Sequence, residues 1–162
     1  MRKIILLILL VLIFCWSGFL YAQGSDNKLY FKQTGFSISP LEGKIGHVTS
    51  QPLIMMLPPT DGFAPNVNVQ VQPYNGTISE YWELSKPQFE QMNWKVVYMK
   101  QTEPNKMVFE YEGGYQGKKM HWYAVAVQVE NVVYLATATA LESQWRNVSA
   151  KLINCISSFN IE

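Results

Sequence analysis

The 162 residues carry 13 Lys and Arg against 12 Asp and Glu, a formal charge of +1, with Arg146 the sole arginine after Arg2. A balance this even lacks the clustered positive face that a nucleic-acid backbone needs, which excludes nucleic acid as a partner. Aromatic residues reach 14%, rings that serve equally well in a core or on a recognition surface.

Arg2 and Lys3 precede an uncharged apolar run from Ile4 to Ala22, the profile of an export signal, with Leu20-Tyr21-Ala22 as the cleavage site before Gln23. The sequence therefore predicts a signal peptide over 1–22, a short polar linker over 23–27 and a single domain over 28–162. The expected location is exported, periplasmic or extracellular. A retained N-terminal membrane anchor is the alternative, because the apolar run approaches the length of a bilayer span. Lipidation at Cys15 is disfavoured by the bulky Phe14 before it. After cleavage Cys155 is the one cysteine left, so no internal disulfide forms, and its place on an apolar stripe makes it a buried thiol.

Lys28 to Lys32 and Phe36 to Ser39 read as two strands joined through Gly35. Lys44 to Ser50 is ambiguous, and Leu53 to Leu57 is a buried strand stopped by Pro58-Pro59. An irregular loop over 60–65 leads into a strand whose Val67, Val69 and Val71 share one face while Asn66, Asn68, Gln70 and Gln72 share a wet one. Thr77-Ile78-Ser79-Glu80 is a capping box, and the helix it starts kinks or restarts at Pro87. Trp94 to Lys100 and Lys106 to Glu112 have strand composition, and Gly113 to Gly117 is a hairpin connection.

From Lys118 to Glu130, Met120, Trp122, Ala124 and Ala126 alternate with His121, Tyr123, Val125, Val127 and Val129 across the two faces of a strand. Glu130-Asn131 turns the chain, and Val132 to Thr139 returns as a strand whose alanines invite close packing. Thr139-Ala140-Leu141-Glu142 reads as a second capping box, opening a helix with Leu141, Trp145, Val148, Leu152, Cys155 and Phe159 on one stripe. The sum is α+β: an antiparallel sheet of about six or seven strands packed with a middle helix and a C-terminal helix, the early strands at its edges.

Gly35 to Pro40, Gly62 to Val69, and Val133 to Ala138 with Trp145 and Ser157-Ser158-Phe159 resemble, over most of residues 29–160, the recurring segments of the PsbP-like superfamily. That superfamily includes the photosystem II extrinsic protein, Ran-binding nuclear transport factors and bacterial envelope proteins of the DcrB and LpqN type. The resemblance implies an α/β sandwich used to bind other macromolecules, without catalysis. No motif carries over the metal or partner contacts of the photosystem members.

The catalytic inventory is thin. His47 and His121 are the two histidines, Asp26 and Asp61 the two aspartates, and no serine sits in a Gly-x-Ser-x-Gly elbow. Glu110 and Glu112 share a strand face, a spacing more typical of a solvated edge than of a substrate site. Met55, Met56, Met99, Met107 and Met120 with His121 form no ligand spacing and read as core, so neither metal nor cofactor is expected. Gly113 to Gly117 lacks the Lys-Ser/Thr of a phosphate loop. The expected function is a non-enzymatic exported binding or assembly module of the cell envelope, with an envelope protein or apolar ligand as partner. Tyr74, Trp82, Tyr111, Tyr115 and Trp122 are its candidate binding surface. A carrier or chaperone for lipid or hydrophobic protein segments is the alternative, and a hydrolase is third.

Overall fold

The structure, a computed structural model, describes residues 28–31, 35–39, 41, 44–48 and 51–161, with the side chains of 44–48 and 51–52 outside that description. The expected signal peptide and linker, over 1–27, lie outside it as well. Strands β1 (Leu29–Phe31) and β2 (Phe36–Ile38) come first, followed by β3 (Lys44–Val48), β4 (Gln51–Met56) and β5 (Asn66–Pro73). Helix α1 (Ile78–Gln91) leads to β6 (Lys95–Glu103), β7 (Lys106–Tyr115), β8 (Lys118–Val129) and β9 (Val132–Leu141), and α2 (Glu142–Ser157) and β10 (Asn160–Ile161) close the chain. Seven strands form one antiparallel sheet in the order β3-β4-β5-β9-β8-β7-β6, and β1-β2-β10 form a second. The α+β expectation holds.

Two-residue turns build the meander. Gln116 and Gly117, both at positive φ (50° and 75°), close β7 onto β8, a left-handed pair that matches the strand twist. Because β8 alternates strictly, it divides the molecule. Val125 belongs to the core under α2, while Trp122, Ala124 and Ala126 belong to the core under α1. Helix α1 is the crossover that carries the chain over one face from β5 to the far edge at β6. On the other face lie α2 and the small sheet, where Phe36 packs against Phe31 and Phe159 at centroid distances of 4.6 and 5.4 Å.

Three local expectations need correction. The helix at Thr77 is capped as its sequence predicts, with Glu80 N–H donating to Thr77 Oγ1 and Thr77 N–H to Glu80 Oε2, but it runs unbroken through Pro87. Pro87 and Glu83, whose carbonyl loses its partner, are both exposed, so the freed acceptor lies on the solvent side of the helix. The predicted second capping box is displaced: Thr139 stays in β9, and the carboxamide of Gln144 accepts from Leu141 N–H instead, while its Nε2 donates to Thr60 and Phe63. Finally, of the early strands β1 and β2 leave the main sheet altogether, and its two edges are β3 and β6.

Candidate functional site

The polar cluster with the tightest geometry lies on the α2 side of the sheet. The β7–β8 hairpin sets Glu112 opposite His121 and Glu110 opposite Tyr123, so both glutamates and the histidine point to one face. Helix α2 begins there and brings Glu142 and Trp145. His121 is buried, its Nε2 2.7 Å from Glu110 Oε1 and its Nδ1 2.7 Å from Glu142 Oε2. Each ring nitrogen therefore has a carboxylate oxygen as its partner, one from β7 and one from the start of α2. Trp145 stacks on it at 4.1 Å and 15°, covering the imidazole with an indole face. Lys95 on β6 continues the row, 3.0 Å from Glu112.

This arrangement determines what the group can do chemically. A general base needs a ring nitrogen free to accept a proton, and both nitrogens of His121 are spent on carboxylates with no hydroxyl bonded to either. Ligand atoms of Glu112, His121 and Glu142 do lie within 4.8 Å of one another, a mixed nitrogen and oxygen set of the kind borderline divalent cations accept. Binding one would require a carboxylate to turn away from the ring nitrogen it now holds. In the arrangement present, the cluster is a hydrogen-bonded clamp that ties the first turn of α2 to β7 and β8.

The five aromatics singled out in the sequence are not brought together on a surface. Trp82, Tyr111 and Trp122 are buried at 7–8% exposure in the core beneath α1, and Tyr74 and Tyr115 are half-buried at its margin. Tyr111 stacks on Trp122 at 4.9 Å and 14°, and Trp94 lies 4.7 Å from Trp122. Burial drives the Tyr111 phenol far above its ordinary range and lifts that of Tyr81, whose hydroxyl donates to Gln72, to about 12. Gly113 belongs to β7, and a Cβ there would meet Trp94 Cδ1 at 2.2 Å, so the glycine makes room for an indole and not for a phosphate.

Met55, Met107 and Met120 fill the cores, and Asp61 is exposed. Asp26 and the His47 side chain lie outside the description. Cys155 is buried, its thiol donating to Ser39 O at 3.1 Å, and burial pushes it up to about 12. The helix–sheet interfaces that a carrier would open are filled by side chains from both layers. The depressions beside Pro58 and Lys151 and beside Lys118 and Glu142 are shallow and open to solvent.

Large apolar side chains are exposed elsewhere. Val97, Tyr98 and Met99, at 48, 45 and 41% exposure, follow one another along β6, the last strand of the sheet. Sequence reasoning did not single out this strand, because strand order decides which strand is an edge. The His121 cluster was within reach of sequence reasoning: placing the two-residue turn at Gln116-Gly117 sets Glu112 opposite His121 at once.

No protein-family model matches the sequence, and no curated protein matches it in a sequence search. Solved structures do match in fold. Cyanobacterial PsbP (CyanoP) from Synechocystis sp. PCC 6803 superposes with a TM-score of 0.62 at 13% identity, covering 90% of this chain and 98% of that one. LpqN of Mycobacterium tuberculosis, described as involved in cell envelope biogenesis, gives 0.55 at 9% identity over 78% and 82%. PA94 of Pseudomonas aeruginosa, a protein of unknown function, gives 0.54 at 11% over 76% and 88%. The fold is PsbP-like, as the resemblance in the sequence implied.

Proposed function

Taking the PsbP-like fold as premise, we propose that this chain is an exported, non-enzymatic binding or assembly module of the cell envelope that docks its partners along the open edge of β6. The observation that carries the reading is the position of β6. It ends the seven-stranded sheet while presenting Val97, Tyr98 and Met99 to solvent. An unpaired strand edge offers a row of backbone donors and acceptors to an extended segment, and neighbouring apolar side chains add selectivity.

Three further observations support it. The charge and hydropathy profile of residues 2–22 is that of an export signal. One similar structure is described as acting in cell envelope biogenesis. Of the two histidines open to a hydrolase, His121 is locked between two carboxylates. No helix of the described residues is long and apolar enough to cross a membrane.

The test is affinity capture from the native envelope at physiological salt without crosslinker, comparing the wild-type chain with Met99→Pro. Proline removes an edge amide and stiffens the strand while leaving both cores intact. Capture of a defined set of proteins or of a ligand that falls at least about tenfold with Met99→Pro, the factor that loss of ~1.4 kcal/mol produces, is the expected outcome. Equal capture by both chains would remove β6 from the reading, and capture of nothing by either would remove the reading itself.

A further inference from the structure

The pattern along β6 identifies a partner of particular chemistry, and the inference rests on β6 being the docking edge. We propose that β6 pairs with β6 of a second copy of this chain, antiparallel and two-fold about Met99, joining two sheets into one.

The face of each β6 residue follows from its partner on β7. Lys95, Tyr98, Lys100 and Glu103 stand opposite Glu112, Glu110, Val108 and Lys106. Those four alternate along β7 with Val108 in the core under α2, so the four β6 residues also point to the α2 side. Lys95 and Glu103 share a side with Tyr98 and Lys100 because the register slips by one residue at Val97 and again at Thr102.

Symmetry limits the possible registers. Hydrogen-bonded and non-hydrogen-bonded pairs alternate along an antiparallel ladder, so a two-fold axis must pass through a residue facing itself and cannot fall between two residues. Centring on Lys100 sets two lysines face to face. Centring on Tyr98 places Lys95 against Gln101 and leaves Glu103 beyond the strand. Centring on Met99 sets Lys95 opposite Glu103 of the second copy, Tyr98 opposite its Lys100, and Met99 opposite itself.

Two independent features favour the Met99 centre. Charges alternate across the junction: Glu112 and Lys95 of one copy, 3.0 Å apart, meet Glu103 and Lys106 of the other, 3.4 Å apart, in one row on the α2 side. The irregularities also match. Two residues separate Lys95 from Tyr98, and two separate Lys100 from Glu103, one of each pair being the bulged residue, so each bulge lies against a bulge. Edge bulges and lysines ordinarily repel a strange strand, whereas a strand carrying the same bulges and the complementary charge fits them.

Disulfide trapping in the full chain, held in mild detergent with Cys15→Ser so that the buried Cys155 is the one native thiol left, tests the register directly. Met99→Cys should give at least about tenfold more disulfide-linked dimer under mild oxidation than Tyr98→Cys or Lys100→Cys alone. Directly opposite Cβ atoms stand ~5 Å apart and diagonal ones ~7–8 Å, beyond a disulfide's reach. Mixing the Tyr98→Cys and Lys100→Cys chains should restore crosslinking. Strong trapping by Tyr98→Cys alone, or no trapping by any variant with a monomer in sedimentation at the highest concentration tolerated, overturns the self-pairing. If a monomer nevertheless loses envelope capture with Met99→Pro, the pairing fails while the reading of β6 as a docking edge stands.

Discussion

The two faces of the seven-stranded sheet are covered by helices of similar length, 14 and 16 residues, through opposite kinds of packing. Beneath α2 the sheet presents Ala136, Ala138 and Ala140, all fully buried, beside Val67 and Val69. Small side chains let the helix backbone settle close, and Leu152, Cys155 and Ile156 fill what remains. Beneath α1 the sheet presents Met107, Phe109, Tyr111 and Trp122, and the helix answers with Tyr81, Trp82 and Phe89. Rings carry large areas in preferred tilts, so this face gains its stability from a few bulky contacts. One face is a close seat and the other a stack. They should therefore fail under opposite substitutions.

The largest effect belongs to the stack. Trp122 touches both Trp94 and Tyr111, and Trp122→Ala would leave a void that those rings cannot close without abandoning their own contacts. The expected loss is about 3–5 kcal/mol, read as a fall in the urea midpoint. A loss under ~1 kcal/mol would mean that the rings repack freely and that the two faces do not differ in kind.

The seat should break by addition. Ala138 lies on β9 beneath α2 and opposite both Val67 and Tyr123. Ala138→Leu introduces three carbons where backbone and side chains already meet, at a cost of about 1–3 kcal/mol, again by urea midpoint. A neutral or stabilising result would show a hidden void under α2.

The contrast between the faces was only half visible in the sequence. Strict alternation along 120–129 and the stripe from Leu141 to Phe159 both register in chain order, so the strand faces, the alanine seat and α2 were legible. Which aromatics stay wet was not. Trp82, Tyr111 and Trp122 are amphipathic rings that look alike on paper, and only the packing of α1, which carries Trp82, onto the sheet face of Tyr111 and Trp122 makes them core. The same limit hid β6. Its exposure follows from α1 carrying the chain past β9, β8 and β7 before the meander returns, a non-local choice that leaves no periodic trace. Gln144, buried on α2, was missed because a polar residue in a helix reads as solvated until its partners, Thr60 and Phe63, are known.

The finest comparison is by proton. Each face buries a weak acid whose neutral form the fold favours, and burial is the first cause in each case: Cys155 in the seat, raised from 9.0 to about 12, and Tyr81 in the stack, raised from 10.0 to about 12. In the unfolded chain these groups ionise at their ordinary values. As pH rises past them, the unfolded state loses protons that the folded state keeps, so stability is complete below about pH 9 and falls above it. The thiol acts first. Between its 9.0 and the phenol's 10.0, unfolded wild-type chain gains a thiolate while unfolded tyrosine stays neutral. Cys155→Ala should therefore lose little stability through this interval while the wild type declines, and above it the wild type should go on falling more steeply until pH reaches the folded thiol's value of about 12. Urea midpoints measured in steps across the interval check this. Parallel decline from the start would show that the Cys155 thiol ionises as readily in the fold as out of it, and that the seat under α2 admits water that the stack under α1 keeps out.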